Sequence, residues 1–271
     1  MQAPSLASFL DAARRHVATL RPDRVSWARR AERAGPGRSF AGALVGGTVA
    51  VVAEVKRRSP SEGEINAGLD AAERACAYVA GGARAISVLT EGTFFGGTMD
   101  DLAAVAAAVP VPVLRKDFIL DELQLLEARV AGASAVLLIV RALDPGRLRD
   151  LAAASREVGL DTLVEAHTAD EVERALEVRA AVIGVNSRDL ESFTVDPGVT
   201  ERLLPLVPAG VPAVAESGVR GVADVERCAE VGADAVLVGT SLSRARDPEA
   251  AVRALTAVAR RGRAATGVGR P

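Results

Sequence analysis

Short stretches rich in Val, Ile, Leu and Ala recur along the chain, each followed by a longer segment in which apolar residues return every three or four positions. The stretches read VAVVAEV, ARAISVL, VPVLRK, SAVLLIV, DTLVEA, AAVIGVN, VPAVAES and DAVLVGT, eight in all. Their nearly continuous apolar character is that of strands covered on both faces, as in a parallel sheet. The connecting segments carry helix punctuation rather than hairpin turns. Asp144-Pro145, Asp196-Pro197 and Asp247-Pro248 each set a capping carboxylate before a proline at the first helical position, and Thr168 with Glu171 spells a capping box. Gly132, Gly159, Gly232 and Gly81 stand where a left-handed residue would close a helix just before the next strand.

Strand, helix and strand in this rhythm build right-handed βαβ units. Eight consecutive units predict an α/β fold, a closed (β/α)8 TIM barrel over residues 49–260. The alternative is an open doubly wound sheet, which would usually announce itself by a G-x-G-x-x-G turn after the first strand; the chain has none there. Residues 1–48 hold SLASFLDAARRHVATL and RVSWARRAERA, two amphipathic patterns that predict an N-terminal helical extension packed on the barrel, with Trp27 as a packing anchor. Residues 261–271, basic and glycine-rich, are expected to form a flexible tail.

With 271 residues, 49% of them hydrophobic, the chain suffices for one barrel-sized core. A net charge of −2 gives no reason to expect nucleic acid or an acidic membrane as partner. The apolar runs are too short for a bilayer span and the opening residues do not read as a signal peptide, so a cytoplasmic protein is expected. Cys76 and Cys228 lack a CxxC neighbour and are expected to be buried free thiols. His16 and His167 are the only histidines, which argues against a histidine-rich metal centre.

In such a barrel the chemistry sits at the C-terminal ends of the strands, where residues two apart share a face. Five of those ends are polar. The first strand offers Glu54 and Lys56, the third Lys116, the fifth Glu165, the sixth Asn186 and Arg188, and the seventh Glu216. Any one of these charges could be a structural ion pair. Their convergence on one axis points instead to an active site, since lysine and glutamate are almost never fully buried unless paired. After the seventh and eighth strands, ESGVRG and VGTSL expose backbone N–H groups at a helix start, the arrangement that favours a phosphate. Phe95 and Phe118 follow the second and third strands in a chain with six Phe, one Tyr and one Trp. Core packing is the ordinary reading of an aromatic, but two beside polar strand ends suggest a slot for a flat apolar group. From the residues alone the expected ligand is a phosphorylated molecule with an aromatic portion, handled by lysine and glutamate acid–base chemistry. No metal-ligand spacing is recognisable.

AEVKRRSPSEG, SVLTEGTFFGGTMDDL, VLRKDFI, LVEAH, IGVNSRDL, VAESGV and VLVGTSL, taken in this order, resemble the indole-3-glycerol phosphate synthase family of the tryptophan pathway, over roughly residues 5–258. The resemblance implies conversion of 1-(2-carboxyphenylamino)-1-deoxyribulose 5-phosphate to indole-3-glycerol phosphate, with loss of carbon dioxide and water and no cofactor. It implies a small phosphorylated substrate as the partner, no nucleic acid, no membrane, and a monomer, with a dimer as the alternative. By the same resemblance Lys116 is the general acid that protonates the substrate ketone, and Asp117 holds that lysine in place. Glu165 and Lys56 manage proton transfer during closure and dehydration, in a division the sequence leaves open. Glu54, Asn186 and Glu216 form a supporting polar shell, and Arg188 with Lys56 takes the anthranilate carboxylate. Ser59, Ser217, Gly218, Gly239 and Thr240 match phosphate-loop positions, and Phe95, Phe118, Leu137 and Leu190 match the aromatic slot. Arg57 faces away from the site and is structural.

Arg58, Ala166 and the basic tail depart from the family's commonest pattern without removing a catalytic group, and leave open whether the chain serves primary tryptophan synthesis or a secondary pathway. Two other functions fit less well. Phosphoribosylanthranilate isomerase expects cysteine where this chain has Lys56, and pentose-phosphate epimerases expect histidine–aspartate metal ligands. A barrel that only binds a sugar phosphate would have no need of both lysines and both carboxylates.

Overall fold

The computed structural model describes residues 4–35 and 37–263; of the expected tail, residues 264–271 lie outside the described residues. The eight expected strands are present: β1 (Ala50–Val55), β2 (Ala85–Leu89), β3 (Val113–Lys116), β4 (Ala135–Ile139), β5 (Asp161–Ala166), β6 (Val182–Asn186), β7 (Ala213–Glu216) and β8 (Ala235–Val238). Each pairs in parallel with its successor, and β8 pairs with β1 to close the ring. Pleating sorts the side chains by parity. Val51, Ala53 and Val55 of β1 pack under the helices, whereas Ala50 and Val52 fill the barrel interior. Leu114, Leu163, Val182, Val214 and Ala235 fill the same interior from their own strands. Two residues further along, the inward position becomes Glu54 on β1, Lys116 on β3, Glu165 on β5 and Glu216 on β7. The barrel axis is therefore apolar below and charged at its C-terminal rim.

Helices cover the ring. Asp144, Asp196 and Asp247 cap theirs by accepting the backbone N–H of Arg147, Gly198 and Ala250, each contact contributing about 1 kcal/mol. The capping box at Thr168 is only half formed. Thr168 accepts from the Glu171 N–H, but the Glu171 carboxylate reaches back to the N–H of His167 instead. Gly132, Gly159 and Gly232 are left-handed as expected, with φ of 89°, 73° and 90°. Gly81 is not: Gly82 takes the left-handed turn at φ 98°, while a Cβ on Gly81 would collide with the carbonyl of Glu249. The first glycine allows a close helix approach and the second the turn.

The extension forms α1 (Leu6–Leu20) and α2 (Arg24–Arg33), both lying against the barrel helix Glu122–Val130. Val17 and Leu20 pack on Leu123, with Trp27 half-buried beside them. The thiols differ from expectation: Cys76 is exposed and Cys228 partly so. In the helix Ala71–Ala80 the buried face is Ala71, Ala75 and Tyr78, and one step past Ala75 turns the side chain by about 100°.

Arg261–Arg263, assigned to the tail, adjoin the barrel. The Arg263 guanidinium, 3% exposed, pairs with Asp234 at 2.8 Å. It also donates to the carbonyls of Val207, Pro208, Val211 and Gly232. Breaking a buried pair from one side usually costs about 3–5 kcal/mol. Arg263→Ala should cost less, about 2–3 kcal/mol, because Arg260 still faces Asp234 at 2.7 Å. A urea midpoint unchanged from wild type would show that the contact contributes nothing.

Candidate active site

At the C-terminal rim the barrel opens into a cavity of about 580 Å³. Every residue expected from the sequence to form the site lines it, brought together from all eight strands or the loops beyond them. At its floor the Lys116 ammonium lies 3.6 Å from Glu165 Oε2 and 3.6 Å from Glu216 Oε2. Beside them Lys56 Nζ is 3.1 Å from Glu54 Oε1. Asn186 is the register partner of Glu216 on the neighbouring strand. Two glycines make room for this layer: a Cβ on Gly184 would strike Oε1 of Glu216, and one on Gly239 would strike Oε1 of Glu54 and lie 2.9 Å from Lys56 Nζ.

Glu165 and Glu216 are both 1% exposed, and all four of their oxygens lack an aligned hydrogen-bond donor. A packed core would not carry that cost without a role for it. Burial and the Glu165 charge push the Glu216 carboxyl up to about 8. Burial acts in the same direction on Glu165, but the Lys116 and His167 charges outweigh it and hold this carboxyl below its usual range. Burial disfavours the Lys116 ammonium, yet Glu165, Glu216 and Glu54 together raise its pKa above the ordinary lysine value. At neutral pH the floor thus holds one ammonium, one carboxylate and one neutral carboxyl.

One end of the cavity is built for an anion. Ser217 and Gly218 are both left-handed, at φ 67° and 81°, and Ser217 Oγ donates to Asn186 Oδ1 at 2.8 Å. Gly239 precedes the short helix Thr240–Ser243, and Ser59 borders the same end. The Lys56 ammonium, held over Gly239, supplies positive charge here. Arg220 and Arg244 also line this end. In ESGVRG the glycines carry the phosphate signal and Arg220 carries none. The loop after β1 crosses the mouth, its Glu62 paired with Arg244 at 2.9 Å and its Ser61 accepting from Arg188 at 3.3 Å.

The other end is apolar, lined by Phe95, Phe118, Leu137 and Leu190. Phe9 of α1 joins them, stacked on Phe118 with centroids 4.8 Å apart and edge-on to Phe94 at 5.0 Å. The sequence marks Phe9 only as a member of an amphipathic stripe, where packing and site lining look alike.

Asp117 is a correction. It lines the cavity but does not hold Lys116: its carboxylate takes Arg115 at 3.1 Å, the Thr90 hydroxyl at 2.5 Å and the Phe118 N–H at 2.8 Å. Parity explains the choice, since Arg115 and Asp117 share the face opposite to Lys116. Arg115 is fully buried and pairs also with Glu127, which in turn accepts from His16 of α1 at 2.9 Å. Arg57 pairs with Asp101 and the Leu69 carbonyl, away from the cavity.

The family model described as indole-3-glycerol phosphate synthase matches residues 6–255. Indole-3-glycerol phosphate synthase 1 of Streptomyces coelicolor is 52% identical over 84% of this chain and 85% of its own length. The synthase of Nocardioides sp. is 53% identical over 77% and 80%, and that of Opitutus terrae 51% identical over 79% and 83%. Among solved structures, thiamine phosphate pyrophosphorylase from Pyrococcus furiosus superposes with a TM-score of 0.59 at 15% identity, over 80% of this chain and 96% of that one. That last likeness concerns the fold alone.

The Glu216 carboxyl is raised in the folded state, so its contribution to stability is complete below the unfolded carboxylate range and is lost as pH rises toward about 8. Glu216→Gln mimics the neutral form. Thermal melts at pH 5 and pH 8 should show the variant gaining on wild type as pH rises; a constant difference would place the proton elsewhere.

Proposed function

The chain belongs to the indole-3-glycerol phosphate synthase family, and from that premise we propose how its cavity closes an indole ring on 1-(2-carboxyphenylamino)-1-deoxyribulose 5-phosphate. The phosphate lies at the Ser217–Gly218 and Gly239–Thr240 loops with Ser59, Lys56 supplying charge. The anthranilate ring lies in the phenylalanine and leucine slot with Phe9, and Arg188 faces its carboxylate with a planar fork. The ketone between them is left over Lys116.

Lys116 donates its proton to the ketone oxygen as the ring carbon bearing the carboxylate attacks the ketone carbon. The bond to the carboxylate then breaks, carbon dioxide leaves, and its bonding electrons return to the ring. Loss of the new hydroxyl as water, together with a proton from the adjacent chain carbon, completes the double bond. Glu165 is the base that removes this proton, because it is the carboxylate beside Lys116 and is held in its ionised form. Lys56 is paired to Glu54, and its ammonium assists the departing hydroxyl. Glu216, neutral at its upper pKa, and Asn186 keep the floor polar without adding a second full negative charge.

The observation that carries this reading is the ammonium of Lys116 set between two buried carboxyl groups at 3.6 Å each, with an anion cradle on one side and an aromatic slot on the other. A monomer is the working unit of this reading, since the site as assigned calls for no residue from a second copy. Its place is the cytoplasm, where two free cysteines and a phosphorylated substrate are both at home; among the described residues no helix is long and apolar enough to cross a membrane.

Lys116→Ala should lower kcat by roughly 10³-fold while KM moves little, since the phosphate and ring contacts remain. Incubating wild type and variant with the carboxyphenylamino-deoxyribulose phosphate and following indole fluorescence measures both. Near-normal turnover by the variant would remove Lys116 from the mechanism.

A further inference from the structure

The two oxygens of the Glu165 carboxylate face different neighbours. Oε2 points toward the Lys116 ammonium at 3.6 Å, whereas Oε1 lies 3.4 Å from Nε2 of His167. His167 stands two residues beyond Glu165 and so on the same face of the chain. It is buried and does not line the cavity. Its other ring nitrogen, Nδ1, is 3.3 Å from Glu171 Oε2. That same oxygen accepts the backbone N–H of His167 at 2.7 Å, and Glu171 Oε1 accepts from Nε of Arg141 at 3.3 Å. An arginine and a backbone N–H keep Glu171 ionised, and an ionised carboxylate only accepts, so the ring carries hydrogen on Nδ1.

Nε2 faces Glu165, and by the same rule it holds that carboxylate only with a hydrogen of its own, so the ring clamped between the two carries hydrogen on both nitrogens. Nε2 is buried without an aligned partner, and so are both Glu165 oxygens. Atoms facing each other in this way in an unliganded site tighten when substrate closes over them. The charged groups around the ring are Glu165 on β5 and Glu171 on the following helix. Arg141, after β4, stands behind Glu171 with Asp189 3.6 Å beyond it, and Lys116 and Glu216 lie across Glu165. The imidazole thus sits between two carboxylates, each backed by a cation.

We propose that His167 is a positioning residue for the ring closure: clamped by Glu171 through Nδ1, it holds Oε1 of Glu165 with Nε2 and leaves Oε2, on the Lys116 side, as the oxygen that exchanges a proton with the substrate. The inference rests on the reading of Glu165 as the base. With a proton on Nε2 the ring donates to Oε1 and favours the carboxylate; the proton taken from substrate then goes to Oε2, and no other group need move.

His167→Asn keeps an amide near Glu171 and removes the group facing Glu165. It should lower kcat about tenfold with KM within about twofold, and move the acid limb of the kcat–pH profile up by about one unit, because Glu165 loses a neighbour that favours its charge. His167→Gln, which reaches toward Oε1, should recover part of the rate. A wild-type rate and profile in His167→Asn overturns the proposal, as does a loss of rate with no movement of the acid limb. A readout without turnover is the imidazole ¹⁵N chemical shift of His167 Nε2 in the folded protein: Glu165→Gln should move it, and an unchanged shift overturns the pairing. Wild-type turnover by Glu165→Gln would instead sink the reading of Glu165 as base, so the two failures are separable.

Discussion

In a closed ring of parallel strands the direction of a side chain is decided by whether its position is odd or even, and everything at the rim depends on that rule. Val52 and Glu54 differ in chemistry but share a face, as do Leu114 and Lys116, or Leu163 and Glu165. A single-residue slip would bury the lysine among helices and turn the apolar wall into the cavity. The same rule explains the buried Arg115. It stands between two inward residues and must face the helix layer, where Asp117, Glu127 and the Gln124 carbonyl surround it. The inner charge and the outer one are thus neighbours in sequence with separate partners.

Crowding of charge at the rim then determines the chemistry. One ammonium between two buried carboxyls fully compensates only one of them, so the second retains a proton well above its usual range. Acid and base forms coexist within a few ångströms, as proton traffic in both directions requires. The arrangement costs stability, visible in the oxygens of Glu165 and Glu216 that lack an aligned hydrogen-bond donor and in Gly184 and Gly239, whose missing side chains leave space for Glu216 and Glu54.

Much of this was legible in the chain. The eight strands emerge where the short apolar runs stand, and the three aspartate–proline caps emerge as caps, because both signals are local. The seventeen residues expected to form the site all reach the cavity. What was not legible depends on packing between distant segments. Asp117 reads as a partner for the lysine beside it, but the pleat sends it to Arg115, two residues back on the same face. Glu171 reads as half of a capping box, but His167 and Arg141 compete for it. Cys76 reads as buried from its alanine-rich surroundings, yet helix phase turns it outward. Phe9 carries no motif, and His167 ends LVEAH with no role attached to it; only the folded chain shows that one faces Phe118 and the other Glu165.

Phe9 brings a segment ahead of the barrel into the apolar end of the cavity. The charged floor and part of the apolar wall are therefore encoded in different parts of the chain. A chimera that exchanged the leading helix between related barrels would inherit its chemistry from one parent and part of its tolerance for ring substituents from the other. That helix is also tied to β3 through His16, Glu127 and Arg115, so such a graft would succeed only if the donor carried a matching anchor.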